Sequence, residues 1–389
     1  MSMFESQSPI DLTTQASDAY QNLILPKVSR TFALTIPQLP PPLRRAVTNA
    51  YLLCRVADTI EDEPTFSVEQ KCTYENAFIS AVIGDIDPKR FAAELAPLFS
   101  QETLPAEREL VSQLPLVLQV TRSLKPVQRQ AIHKCLTIMS HGMFDFQRNV
   151  GRQGLETLCD MDCYCYCVAG VVGEMLTELL IDSDPALASQ REILMRLAVS
   201  FGQGLQMTNV LKDQWEDYSH GVCWLPQDVF ARYDVDLSGL QAGLQGENYA
   251  GAMSELIGIA HAHLRLALDY TLMIPLKHAG YRRFCLWNIG LAVMTLRKLQ
   301  QHLDFCNGDQ VKISHRAVAC TISFTRISEK SNSALRWLFE TVARKLPLTP
   351  LSAQWNASVG SQLIWPKSAI AYCSDSAWSN AHGTDDISQ

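Results

Sequence analysis

Apolar residues recur at three- and four-residue steps along most of the chain, and strict apolar–polar alternation is scarce. The pattern predicts helices over 43–62, 68–83, 88–97, 106–122, 126–149, 155–181, 187–216, 249–274, 279–304 and 328–345. Prolines and glycines punctuate it at PQLPPP (37–42), EDEPT (61–65), GDIDP (84–88), IDSDP (181–185), GVCWLP (221–226) and LPLTP (346–350). No short repeat and no long linker interrupts the series. The expectation is an all-α chain with one main core over 1–349, followed by a polar tail over 350–389 rich in Ser, Asn and Ala.

Two stretches set carboxylates into that helical pattern. In NVLKDQWED (209–217), Asn209, Asp213 and Asp217 follow one another at four-residue steps. Each step advances roughly 400°, so the three drift by about 40° per step and stand about 6 Å apart on one face. Gln206 and Glu216 fall in the same broad sector. In YLLCRVADTIEDE (51–63), Asp58 and Asp62 repeat the spacing, with Glu61 between them and Arg55 one turn upstream. The residues leading in (Tyr51, Leu52, Leu53, Val56, Ala57) are apolar, so this helix reads as largely buried. A charged helix face is ordinarily solvated. Carboxylates at the end of a buried helix instead repel one another unless something positive lies between them.

Composition narrows the choice. A net charge of −7 over 389 residues argues against non-specific nucleic-acid binding, which uses a basic surface. The start, MSMFESQSPIDLTTQ, lacks a basic region followed by an apolar run, and no segment is apolar for the ~18 continuous residues of a membrane span. The nearest, FCLWNIGLAVMTL (284–296), is short and contains Asn288. The twelve cysteines therefore point to reduced thiols in a cytoplasmic protein. In CDMDCYCYCVAG the Cys159, Cys163, Cys165 and Cys167 spacing lacks the paired CxxC of structural zinc sites, and these thiols read as helix packing.

Carboxylate and amide oxygens suit a hard cation, Mg²⁺ or Mn²⁺, rather than zinc. Two such rows facing each other would clamp a diphosphate through metal ions, with Arg30, Arg55 and Lys212 neutralising the remaining oxygens. A diphosphate held in this way becomes a good leaving group. The carbocation it leaves needs a dry cavity, which an apolar helical bundle can supply.

The motifs that carry this chemistry resemble those of the squalene/phytoene synthase family, in order, over about residues 27 to 320. SRTFALTI (29–36) is similar to the family's SRSF-type segment, and YLLCRVADTIED to its first aspartate-rich motif. YCYCVAGVVG (164–173) resembles its YCxYVAGxVG helix, and QMTNVLKDQWED followed by WLP its second aspartate-rich motif. FCLWNIGLAVMTL and VKISHRAV (311–318) resemble segments of the squalene-forming branch. The resemblance implies the isoprenoid synthase fold, a single helical domain around a central channel. The reaction it implies is head-to-head joining of two farnesyl diphosphates to presqualene diphosphate, then reduction with NADPH to squalene. By the same resemblance Asp58, Asp62, Asn209, Asp213 and Asp217 would hold the metal. Tyr164 would handle a proton beside the departing diphosphate. Ser29, Arg30, Phe32, Arg55, Gln206, Asn209 and Lys212 would meet the substrate, and Lys312 the NADPH phosphates. Lys212 stands where the family usually has arginine, keeping the charge but losing the bidentate fork.

No GxGxxG loop is present to hold a nicotinamide cofactor. The cofactor is therefore expected in a groove of the helical domain along the stretch from Arg282 to Arg316, with Arg297, Lys298 and Lys312 as cations. A lipid-like product implies peripheral contact with a membrane. Three alternatives stay open: a C30 or C40 carotenoid precursor made without reduction, a hydroxysqualene formed by water, and a catalytically silent helical protein.

Overall fold

The computed structural model describes residues 12–29 and 31–351, which belong to one compact unit ending at Leu351. The expected tail from 352 onward lies outside the described residues. Among the described residues sixteen α-helices succeed one another and there is no strand, only an isolated bridge between Leu155 and Pro226. The first half comprises α1 (Leu12–Val28), α2 (Thr31–Thr35), α3 (Pro41–Asp62), α4 (Val68–Ile83), α5 (Pro88–Leu95), α6 (Pro105–Ser112), α7 (Leu114–Ser123) and α8 (Pro126–Asn149). The second comprises α9 (Leu158–Cys165), α10 (Val171–Ser183), α11 (Arg191–Ser219), α12 (Gln227–Ala231), α13 (Glu247–Met273), α14 (Ala279–Gln301), α15 (His315–Ser328) and α16 (Asn332–Ala343). The all-α expectation holds.

Local chemistry sets the boundaries. Helix α4 opens on a capping box in which Ser67 and Gln70 satisfy each other's backbone, and it stops at Gly84 with φ +101°, which a side chain would resist. The single helix expected over 106–122 is two, α6 and α7. Gln113 leaves helical geometry where Pro115 follows, since proline offers no N–H and crowds the preceding turn. The helix expected over 155–181 starts at a Thr157–Asp160 capping box and contains a π turn, Tyr166–Gly170, between α9 and α10. Helices α1 and α15 were not expected. The first has weak apolar periodicity and contains Pro26, and the second is rich in β-branched residues but is capped by Ser314.

The core runs along α11, α13 and α14, with α3, α8 and α10 packed beside them. Gly202 on α11 lies against the π turn so closely that an added Cβ would sit 2.1 Å from the Ala169 carbonyl oxygen. The run Leu158–Ser183 is, among the described residues, the one helix long and apolar enough to cross a membrane by length and composition. Glu174 and Glu178 interrupt it, and 56% of its apolar window is buried against neighbouring helices. It packs as a core helix.

Candidate active site

The last turns of α3 carry the first acidic row. Leu52, Leu53, Val56, Ala57 and Ile60 are fully buried, which leaves Asp58 and Asp62 on the opposite side. Arg55 donates from Nε to Glu107 Oε1 at 3.1 Å and stands 3.7 Å from Asp58 Oδ2. Burial pushes the Asp58 carboxyl up to about 7, with Asp62 and Glu107 adding repulsion that Arg55 only partly offsets. Asp62 is reached by solvent, yet desolvation by the surrounding protein raises its pKa, and Arg55 only partly opposes this. Glu61 turns aside: Gln147 donates to its Oε1 at 2.8 Å, and Lys71 bonds its backbone carbonyl.

Glu63 then anchors the end of α3. Its carboxylate accepts bonds from Thr65 N at 3.1 Å, Thr65 Oγ1 at 2.7 Å and Ser100 N at 3.0 Å, and another from Thr103 Oγ1. Burial opposes ionisation of this group, but the donated bonds outweigh it and hold the pKa down at about 2.

The second row lies near the C-terminal end of α11. Gln214 and Trp215 are buried on its back, Gln214 Oε1 accepting from Tyr249 OH at 2.8 Å. Gln206, Lys212, Asp213 and Asp217 are half-buried and Asn209 is exposed on the other side. Lys212 Nζ stands 3.0 Å from Asp213 Oδ2. Burial raises Asp213, opposed by Lys212 and by Lys312. Burial pushes Asp217 up to about 7, with Asp213, Glu216 and Asp62 adding to it. Asp62 acts on Asp217 from the end of α3 and Glu216 acts on Asp62 in return, so the carboxylates of α3 and α11 stand close enough to feel each other.

Tyr164 lies between them. Its ring stacks on Trp224 at 3.9 Å and 7°, and Phe146 meets it edge-on at 5.6 Å and 71°. Its hydroxyl pKa is driven well above the ordinary tyrosine value by burial, by Glu61, Cys165 and Asp217, and by Asp62. One phenol thus senses carboxylates from both rows. At the other approach, Ser29 Oγ accepts from Phe32 N at 3.0 Å, and the Phe32 ring lies 5.0 Å from that of Tyr51, one turn before Arg55. Arg30 lies outside the described residues.

Of the cations expected around a cofactor, Lys312 follows the short turn Gly308–Val311, which packs on α11, and pairs with Asp309. Arg297 is half-buried and makes no ion pair among the described residues. Arg282, which opens the stretch expected to hold the cofactor, supplies no free cation. It is 1% exposed and spends its guanidinium on the C-terminal end of α13, donating to Thr271 O at 3.1 Å, Ile274 O at 2.7 Å and Asn332 Oδ1 at 2.7 Å. It caps carbonyls and is closed to any ligand. The cysteine reading also divides: Cys165 and Cys167 are buried packing groups, Cys163 is half-buried and Cys159 exposed.

Among the described residues no three His, Cys, Asp or Glu side chains converge tightly enough to hold a bare ion alone. The donor set, carboxylate and amide oxygens on α3 and α11, fits a cation that keeps its waters and shares phosphate oxygens, as Mg²⁺ does. Sequence reasoning missed Glu107, Gln147, Phe146 and Trp224. Trp224 left a trace there in the WLP that follows the second acidic row, and Phe146 in SHGMFDF (140–146), which resembles a helix of the squalene-forming branch.

The family model described as squalene/phytoene synthase matches residues 25–317. A squalene synthase of Eremothecium gossypii is 28% identical over 278 residues, 70% of this chain and 60% of its own length. Squalene synthase ERG9 of Candida albicans is 29% identical over 291 residues, 73% of this chain and 62% of its own. The match thus spans less than two thirds of these relatives. Among solved structures, TcSQS with the ligand BPH1237 aligns with a TM-score of 0.69 at 24% identity, covering 88% of this chain and 95% of that one. A dehydrosqualene synthase with bound ligand aligns at 0.59 and 22%, over 82% and 98%. Squalene synthase HpnC from Alicyclobacillus acidocaldarius aligns at 0.55 and 14%, over 75% and 96%. These likenesses establish the isoprenoid synthase fold.

Proposed function

Because the chain belongs to the squalene/phytoene synthase family, we propose that it joins two farnesyl diphosphates head to head into presqualene diphosphate and reduces that with NADPH to squalene. The observation that carries the reading is Tyr164 buried between two acidic rows and influenced by both. Asp58 and Asp62 on α3 with Asn209, Asp213 and Asp217 on α11 would hold Mg²⁺, which when bound draws charge from the departing diphosphate.

The chain's own residues do the rest. Arg55, Lys212 and Ser29 balance or bond diphosphate oxygens, and Gln206 reaches the same region from one turn before Asn209. Phe32 walls the approach. Tyr164, fixed by Trp224 and Phe146, keeps its proton in the absence of substrate because burial, and after it the neighbouring carboxylates, oppose a phenolate. A diphosphate oxygen arriving beside it can accept or return that proton. The buried apolar side chains of the bundle exclude water from a carbocation. NADPH would supply hydride, its phosphates met by Lys312 and Arg297.

The likeness to a dehydrosqualene synthase favours a second reading, loss of a proton in place of reduction. Incubation with farnesyl diphosphate and Mg²⁺, with and without NADPH, and identification of products by mass separates the two. The expected result is squalene with NADPH and presqualene diphosphate, or alcohols from water attack, without it. A dehydrosqualene or phytoene that forms regardless of NADPH replaces the first reading with the second.

A further inference from the structure

The outer face of α15 and α16 is unlike the rest of this acidic chain. Helix α15, HRAVACTISFTRIS, contains no carboxylate. Its solvent side presents Phe324 at 56% and Ile327 at 81% exposure, three residues apart and so on one face, and α16 adds Trp337 at 69%. Arg316, Arg326 and Lys330 stand exposed along the same stretch, and none forms an ion pair among the described residues. Arg326 instead lies over the Trp287 ring at 5.4 Å. The neighbouring carboxylate, Glu329, is already taken by Arg283 at 3.2 Å. Beneath Phe324 an apolar cavity of about 190 Å³ opens between α14, α15 and α16.

Large apolar side chains this exposed are costly in water unless something covers them. Aromatic and branched side chains interleaved with unpaired cations match a bilayer surface, where the rings enter the acyl boundary and the cations meet phosphate headgroups. A chain with net charge −7 has no general attraction for such a surface, so unpaired basic groups beside the apolar ones set both place and orientation. We propose that α15 and α16 form a docking face for an anionic lipid bilayer, with Phe324, Ile327 and Trp337 inserted and Arg326 and Lys330 on the headgroups. The proposal does not use the reaction argued above, and vesicle binding and product formation can fail independently.

The test is co-sedimentation of the full-length protein with vesicles of phosphatidylcholine alone and of phosphatidylcholine with roughly one-third phosphatidylglycerol. Binding is expected to the anionic vesicles, weakening as salt rises. Ile327→Ser with Trp337→Ser, and separately Arg326→Glu with Lys330→Glu, should each lower it by roughly tenfold. Helix content and turnover should stay at the parent's level. Four results would overturn the proposal. They are no binding to anionic vesicles at low salt, binding untouched by either pair, a self-associated form that the same variants dissolve, and binding that appears only after residues 352–389 are removed.

Discussion

At the scale of single residues, charge decides what the cleft can do. Asp58 and Asp217 ordinarily ionise near 3.8 and are pushed here to about 7, so the folded chain without cations holds protons that the unfolded chain has released. Stability from these two groups is therefore fully present below about 3.8 and is lost as pH rises through about 7. Asp58→Asn and Asp217→Asn should each raise the melting temperature in EDTA at pH 8 by about a few degrees, with little change at pH 4. Added Mg²⁺ should stabilise the parent at pH 8 and do far less for either variant, while turnover in both falls close to zero. Equal melting of parent and variants at pH 8 would mean that the carboxylates are ordinary surface charge. The acidic rows were legible because a four-residue period puts their members on one helix face whatever lies around them. Glu107, which takes the Arg55 guanidinium, and Trp224, which stacks on Tyr164, were not, because their positions depend on how α6 and the loop after α11 fold back.

At the scale of elements, the π turn at Tyr166–Gly170 is the feature no periodicity showed. A single extra residue in a helical turn leaves the apolar spacing nearly intact, so 155–181 read as one continuous helix. The turn nevertheless sets the direction of α9, and with it the aim of Tyr164. It is held by close backbone contact with α11 at Gly202 and by Gln203, whose Nε2 donates to the Asp162 carbonyl at 3.0 Å. An alanine at position 202 must push that backbone away, since its Cβ would lie 2.1 Å from Ala169 O. Gly202→Ala should cost about 1–3 kcal/mol in denaturant unfolding. It should also lower kcat in the way Tyr164→Phe does, with KM for farnesyl diphosphate little changed. Full stability with full kcat would show that the contact is slack and the turn indifferent to it. Helix boundaries went wrong for a related reason: Pro115 and Thr157 act through local hydrogen bonding, which apolar spacing does not register.

At the scale of the whole molecule, the question is where a nicotinamide cofactor can lie in an all-α protein with no dinucleotide-binding loop. The stretch from Arg282 to Arg316 looked from sequence like one basic groove, but the fold divides it. Arg282 is sealed into the core as a cap on α13, whereas Lys312 stands at the surface on the turn that packs against the second acidic row. The electrostatic influence of Lys312 on Asp213 ties that corner to the second acidic row. On the function proposed above, a cation in this position would have two tasks: meeting cofactor phosphate and keeping Asp213 ionised for the metal. Lys312→Ala should therefore weaken NADPH binding by roughly tenfold, the loss of one charge-assisted contact. It should raise the Mg²⁺ concentration needed for half-maximal turnover by a smaller factor, because Lys212 remains 3.0 Å from Asp213. Arg297→Ala, at a residue that makes no ion pair among the described residues, should affect NADPH alone. Titration of each variant with NADPH and Mg²⁺ separately makes the distinction. A change in farnesyl diphosphate affinity without any change for NADPH would move Lys312 from the cofactor to the substrate and leave the reductant's groove elsewhere on the bundle.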